Sequence, residues 1–130
     1  MKFALELENS VNKFYDETSK QAKDPAFVGL LENMVTRGKK RLKTLERVRR
    51  ENVTEMILEP IEGLDSDSFV IDTTLSKDAD DATIKTLAVS IETTLQNFYE
   101  SAAIKIDFLP EAAYAFELLA EKNEETIRRF

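Results

Sequence analysis

The chain has no cysteine, no histidine and no tryptophan, and only three glycines and three prolines in 130 residues. Without cysteine there are no disulfides, thiol nucleophiles, iron–sulfur clusters or thiolate-held metals. Without histidine there is no imidazole to bind a metal or to shuttle a proton near neutral pH. Three glycines carry no phosphate-binding loop or dinucleotide fingerprint. No Gly-x-Ser-x-Gly turn is present either, so nucleophilic catalysis has little support. Few glycines and prolines mean few breaks, which favours long helices over many short strands. No apolar run reaches the roughly 20 residues of a membrane span. The first residues enter an amphipathic pattern directly, so neither a signal peptide nor membrane attachment is expected, and the expected location is cytoplasmic.

What is present is charge and helical periodicity. Eighteen basic residues stand against 25 acidic ones, for a net charge of −7. Segment 37–50 holds eight of the basic residues and a single acidic one, giving +7, so the remainder carries −14. An acidic protein with one basic stretch and no recognition motif is not expected to bind nucleic acid. Lys39, Lys40, Lys43, Arg47 and Arg50 read as a solvated outer helix face, or as a surface for an acidic partner such as the 65–81 region of a second copy.

Apolar residues recur at helical spacing in four segments. The first helix is expected from about residue 2 to 22, with Ala4, Leu7, Val11, Phe14, Tyr15 and Thr18 around Glu8. Asp24-Pro25 both ends it and starts the next, since Asp caps helix N-termini and Pro suits the first helical position. The second helix runs to about Asn52 with a stripe of Phe27, Leu31, Met34, Val35, Gly38, Leu42, Leu45 and Val48. The third runs from about Asp81 to Ile104, with Ile84, Ala88, Ile91, Leu95, Phe98, Tyr99 and Ala102 around Glu92. The fourth starts at Pro110 and carries Ala112, Phe116, Leu119, Asn123, Thr126 and Phe130. Residues 53–80 break the pattern: one helical turn before Pro60, a turn at Gly63–Asp67, and extended chain over 68–74. That stretch is too long for a hairpin and suits a crossover running the length of a bundle. The expectation is one all-α domain, 1–130, of helix pairs 2–52 and 81–130. Met56-Ile57-Leu58 and Phe69-Val70-Ile71, in the crossover, are candidates for a homodimer interface.

The first and third helices repeat each other. Ala4, Glu8, Phe14 and Tyr15 return as Ala88, Glu92, Phe98 and Tyr99 at one offset of 84 residues. The second and fourth align more weakly at 88, pairing Leu31 with Leu119, Arg41 with Arg129 and Leu42 with Phe130. Each strong copy places a carboxylate inside an apolar stripe, where a lone charge costs several kcal/mol unless compensated.

These phrases and this architecture resemble the rubrerythrin-like branch of the ferritin-like superfamily over most of the chain except the crossover. The resemblance implies a four-helix bundle holding two irons, with Glu on the first and third helices and Glu-x-x-His on the second and fourth. It implies that Glu8 and Glu92 are the retained ligands and that Tyr15 and Tyr99 stand behind them. The other positions fall on Val35 and Gly38, or Met34 and Arg37 one residue earlier, and on Asn123 and Thr126. None is Glu or His, and two carboxylates are too few for a tight di-iron centre. Three compensations for Glu8 and Glu92 stay open. The first is a polar core in which Asn123, Thr126, Tyr15 and Tyr99 donate hydrogen bonds to carboxyls, one or both protonated. The second is a basic replacement by Arg37 or Lys40. The third is an altered site in which Glu8, Glu92 and Asn123 hold iron or another divalent metal. The expected function is a non-catalytic structural or interaction module derived from a decayed di-iron protein. The alternative is an oxidoreductase with a reduced ligand set. Glu121, Glu124 and Glu125 flank the fourth helix's stripe and read as a solvated face.

Overall fold

A computed structural model describes residues 2–51, 69 and 71–130. The described residues contain four α-helices and no strand: α1 (Lys2–Gln21), α2 (Pro25–Glu51), α3 (Asp81–Lys105) and α4 (Pro110–Arg129). The protein is all-α, as its periodicity predicts. The expected turns at 54–59 and 63–67 lie outside the described residues.

Local chemistry sets the boundaries. Asp24 Oδ2 accepts from the Phe27 amide at 3.1 Å, so the Asp-Pro pair starts α2 after a three-residue connection. Asp80 caps α3 by accepting from the Thr83 amide at 2.9 Å. Asp81, one residue further, accepts from the Lys23 and Asp24 amides at 3.0 and 2.9 Å, which ties the α1–α2 turn to the start of α3. Pro110 occupies the first position of α4, where its missing N–H costs nothing.

Cross-helix contacts fix the arrangement. Glu8 meets Tyr99 and Tyr15 meets Glu92, so α1 and α3 run antiparallel. Arg37 meets Thr126 and Arg41 meets Asn123, so α2 and α4 also run antiparallel. Short connections make α1–α2 and α3–α4 antiparallel pairs, and each pair packs closely. Buried Ala112, Ala113, Ala115 and Ala120 allow α4 a close approach to its neighbours. The core is filled by Tyr15, Tyr99, Phe98, Phe116, Leu31, Met34 and Leu45. Tyr99 stacks on Phe116 at 5.7 Å and Tyr15 on Phe130 at 6.4 Å.

The described end of the crossover lies against the α1/α3 side. Phe69 packs edge-on against Phe98 at 5.4 Å, as Phe3 of α1 does, and the Gln21 amide donates to the Ser76 and Ala79 carbonyls. Phe69 and Ile71 pack partly buried against their own bundle. The other four candidates for a homodimer interface, Met56, Ile57, Leu58 and Val70, lie outside the described residues.

Candidate functional site

A buried polar layer crosses the middle of the bundle. Glu8 and Glu92, matched in the repeat, are both fully buried. Each is approached from the opposite helix by the other copy's tyrosine. The Tyr99 hydroxyl donates to Glu8 Oε1 at 2.5 Å, and the Tyr15 hydroxyl donates to Glu92 Oε1 at 2.7 Å. Burial pushes both phenols well above their ordinary pKa, and the adjacent carboxylates push them further in the same direction. Both tyrosines stay protonated donors where a free phenol would ionise.

Two arginines of α2 supply the positive charge. Arg41 donates from Nε to Glu8 Oε1 at 2.9 Å, from one terminal nitrogen to the Leu119 carbonyl at 3.2 Å, and from the other to Asn123 Oδ1 at 2.9 Å. Arg37 donates to Glu92 Oε1 at 2.5 Å and to Thr126 Oγ1 at 2.7 Å. The planar guanidinium fork makes such simultaneous contacts in a way that a lysine ammonium does not. Both guanidiniums also face tyrosine rings, Arg37 over Tyr15 at 5.9 Å and Arg41 over Tyr99 at 5.2 Å. For Arg41 burial alone lowers the pKa, but the neighbouring carboxylates, Glu8 first and then Glu92, outweigh it and the net shift is upward. Arg41 is a permanent cation.

Asn123 joins the two halves. Its Oδ1 accepts from Arg41 and its Nδ2 donates to Glu92 Oε2. The reverse amide orientation would set donor against guanidinium donor and acceptor against carboxylate, so the network fixes the amide. Two carboxylates and two guanidiniums leave the layer with no net charge. Among the described residues the buried side-chain atoms without a hydrogen-bond partner are Glu8 Oε2, Arg37 Nε and Asn12 Oδ1.

The structure brings together Glu8, Glu92, Asn123, Thr126, Tyr15, Tyr99 and Arg37. Lys40, the alternative cation, is exposed and takes no part. Val35 is half-buried, and Gly38 faces Asn12, whose side chain fills the space a Cβ would need. Those two positions therefore do not face the carboxylates, and the register with Arg37 is the one that does. Sequence reasoning missed Arg41. The weak 88-residue alignment paired it with Arg129, which is exposed on α4, whereas its structural counterpart is Asn123: Arg41 attends Glu8 as Asn123 attends Glu92. The spacing of 82 between those two lies close to the 84 of the strong repeat, but an arginine matched with an asparagine carries no identity that marks the pair in the sequence.

The donor set does not fit a di-iron centre. Two carboxylates are shared among two guanidiniums, two phenols and an amide, and a divalent pair would have to enter beside two fixed positive charges. Among the described residues no three His, Cys, Asp or Glu side chains gather at one point. Nor is any described helix long and apolar enough to cross a membrane. No protein-family model matches the chain, and neither do the curated proteins nor the solved structures.

Proposed function

We propose that the chain is a ferritin-like bundle of the rubrerythrin-like kind in which arginines stand in for a metal pair, and that it works as a non-catalytic structural or interaction module. One observation carries this reading. Arg41 bridges Glu8 and Asn123, and Arg37 bridges Glu92 and Thr126, at the positions where that family's resemblance expects metal. A side-chain cation cannot be lost, oxidised or exchanged, so the bundle has a neutral core without any bound ion. The antiparallel arrangement of the helices and the end of the crossover packed against α1 and α3 support the ferritin-like assignment.

The test is metal content of the purified protein by inductively coupled plasma mass spectrometry, before and after anaerobic loading with Fe²⁺, Mn²⁺ and Zn²⁺. The expected result is well under one ion per chain in every case. Near-stoichiometric metal that disappears in the Glu8→Gln/Glu92→Gln variant would refute the proposal and favour the metal-binding oxidoreductase.

A further inference from the structure

The outer faces of α2 and α4 carry opposite charges in matching order. On α2, Lys39, Lys40, Lys43, Arg47 and Arg50 are all exposed, and none forms an ion pair with a described residue. They extend along about 16 Å of helix. On α4, Glu111, Glu117, Glu121 and Glu125 are exposed, with Tyr114 60% and Leu118 39% accessible among them. At its far end α4 turns basic at Arg128 and Arg129, toward the end of α2 where exposed Glu32 lies.

The core fixes how these faces are staggered. Arg37 stands level with Thr126, and Arg41 level with Asn123 and Leu119. Each turn forward along α2 is a turn back along α4. Lys39 is therefore level with Glu125, Lys43 with Glu121, Arg47 with Glu117 and Arg50 with Tyr114. A twofold axis parallel to the bundle preserves level while exchanging left and right. It lays α2 of one copy along α4 of the other, twice over, and opposes unlike charges over three successive turns. The aliphatic stems of Lys43 and Arg47 would then cover Leu118 and Tyr114. Glu46 and Lys122 interrupt the two runs, and Lys122 is already held by Glu125 on its own helix at 3.4 Å. The described end of the crossover lies on the opposite, α1/α3 side.

We infer that a second copy of this chain docks on the α2/α4 face, forming a twofold dimer in which Lys43 opposes the partner's Glu121. The inference rests on the outer faces and their stagger, and is independent of how the core is read. Charge pairs of this kind govern register and association rate, and salt screens them.

The experiment is sedimentation velocity on the full chain at about 20 mM and about 500 mM NaCl, with far-UV circular dichroism as the check on folding. Dimer is expected at low salt, weakened at least tenfold at high salt. Lys43→Glu and Glu121→Lys should each give monomer, and the double variant should dimerise again because the opposed signs are restored. Since the chain has no cysteine, Lys43→Cys/Glu121→Cys should oxidise to a disulfide-linked dimer while each single variant gives far less. A folded monomer at low salt, or a dimer unaffected by both charge reversals, would overturn the inference. So would a monomer that uses Lys43 and Arg47 to bind duplex DNA or phosphatidylserine vesicles.

Discussion

Replacing Arg41 with methionine tests whether the buried layer is one interdependent unit. Arg41→Met keeps a long flexible side chain but removes three hydrogen bonds and the charge opposite Glu8. Breaking a buried pair by removing one partner costs about 3–5 kcal/mol, because the other charge is left uncompensated. For a domain of this size that corresponds to a fall in melting temperature of roughly 10–20 °C. The informative variant is the double, Glu8→Gln/Arg41→Met. The amide introduced by Glu8→Gln still accepts from Tyr99 and carries no charge, so the remaining loss is mainly the donor to Asn123 Oδ1, about 1–3 kcal/mol. The double variant should therefore be more stable than Arg41→Met alone, by about 2 kcal/mol on the difference between those two costs. Urea denaturation followed by circular dichroism at 222 nm measures both. A double variant as unstable as the sum of Glu8→Gln and Arg41→Met alone would refute the coupling. So would an Arg41→Met cost below about 1 kcal/mol, which is the surface-pair range.

Tyr15 and Tyr99 should resist ionisation in the folded protein, with absorbance at 295 nm showing delayed titration that is lost in Tyr15→Phe/Tyr99→Phe. Because both phenols are raised, the unfolded chain binds fewer protons than the native one above the ordinary phenol value. Stability is thus fully present below about pH 10 and falls as pH rises beyond it, and equilibrium unfolding at stepped pH would show it. Two glycines of the described helices should respond with opposite sign: Gly29→Ala meets no neighbour and gains roughly 0.5–1 kcal/mol of helix propensity, whereas Gly38→Ala collides with Asn12 and loses about 1–3 kcal/mol. Adding Asn12→Ala to Gly38→Ala should recover the loss, and thermal melts of the four variants check it.

The four helices were legible because their stripes are regular and their ends carry Asp-Pro, Asp and Pro where the physics wants them. Glu8 and Glu92 were legible for the opposite reason, as charges at positions reserved for apolar residues. Tyr15 and Tyr99 followed from the repeat, and Asn123 and Thr126 from lying on the α4 stripe. Arg41 was not legible. It sits among seven other basic residues, and its neighbour Leu42 offers an apolar side chain for the core. The observed stripe of α2 passes through Leu31, Met34, Gly38, Arg41, Leu45 and Val48, leaving Leu42 only half-buried. An arginine facing inward declares itself only when its acceptors are counted, and those come from α1 and α4, 33 and 82 residues away. The crossover was legible in length but not in what its residues touch, since no periodicity constrains it.

Glu92 takes both its cation, Arg37, and its phenol donor, Tyr15, from the other helical hairpin, whereas Glu8 has Arg41 in its own hairpin and takes Tyr99 from the other. The α3–α4 hairpin formed alone has no cation for Glu92, so it cannot bury that carboxylate well until the two hairpins meet. Folding of this single chain thus has the character of an association between two complementary halves. The covalent connection between α2 and α3 raises the effective concentration of each half for the other. Cutting that link should leave fragments that assemble on mixing, at a rate that grows with concentration where the intact chain's does not.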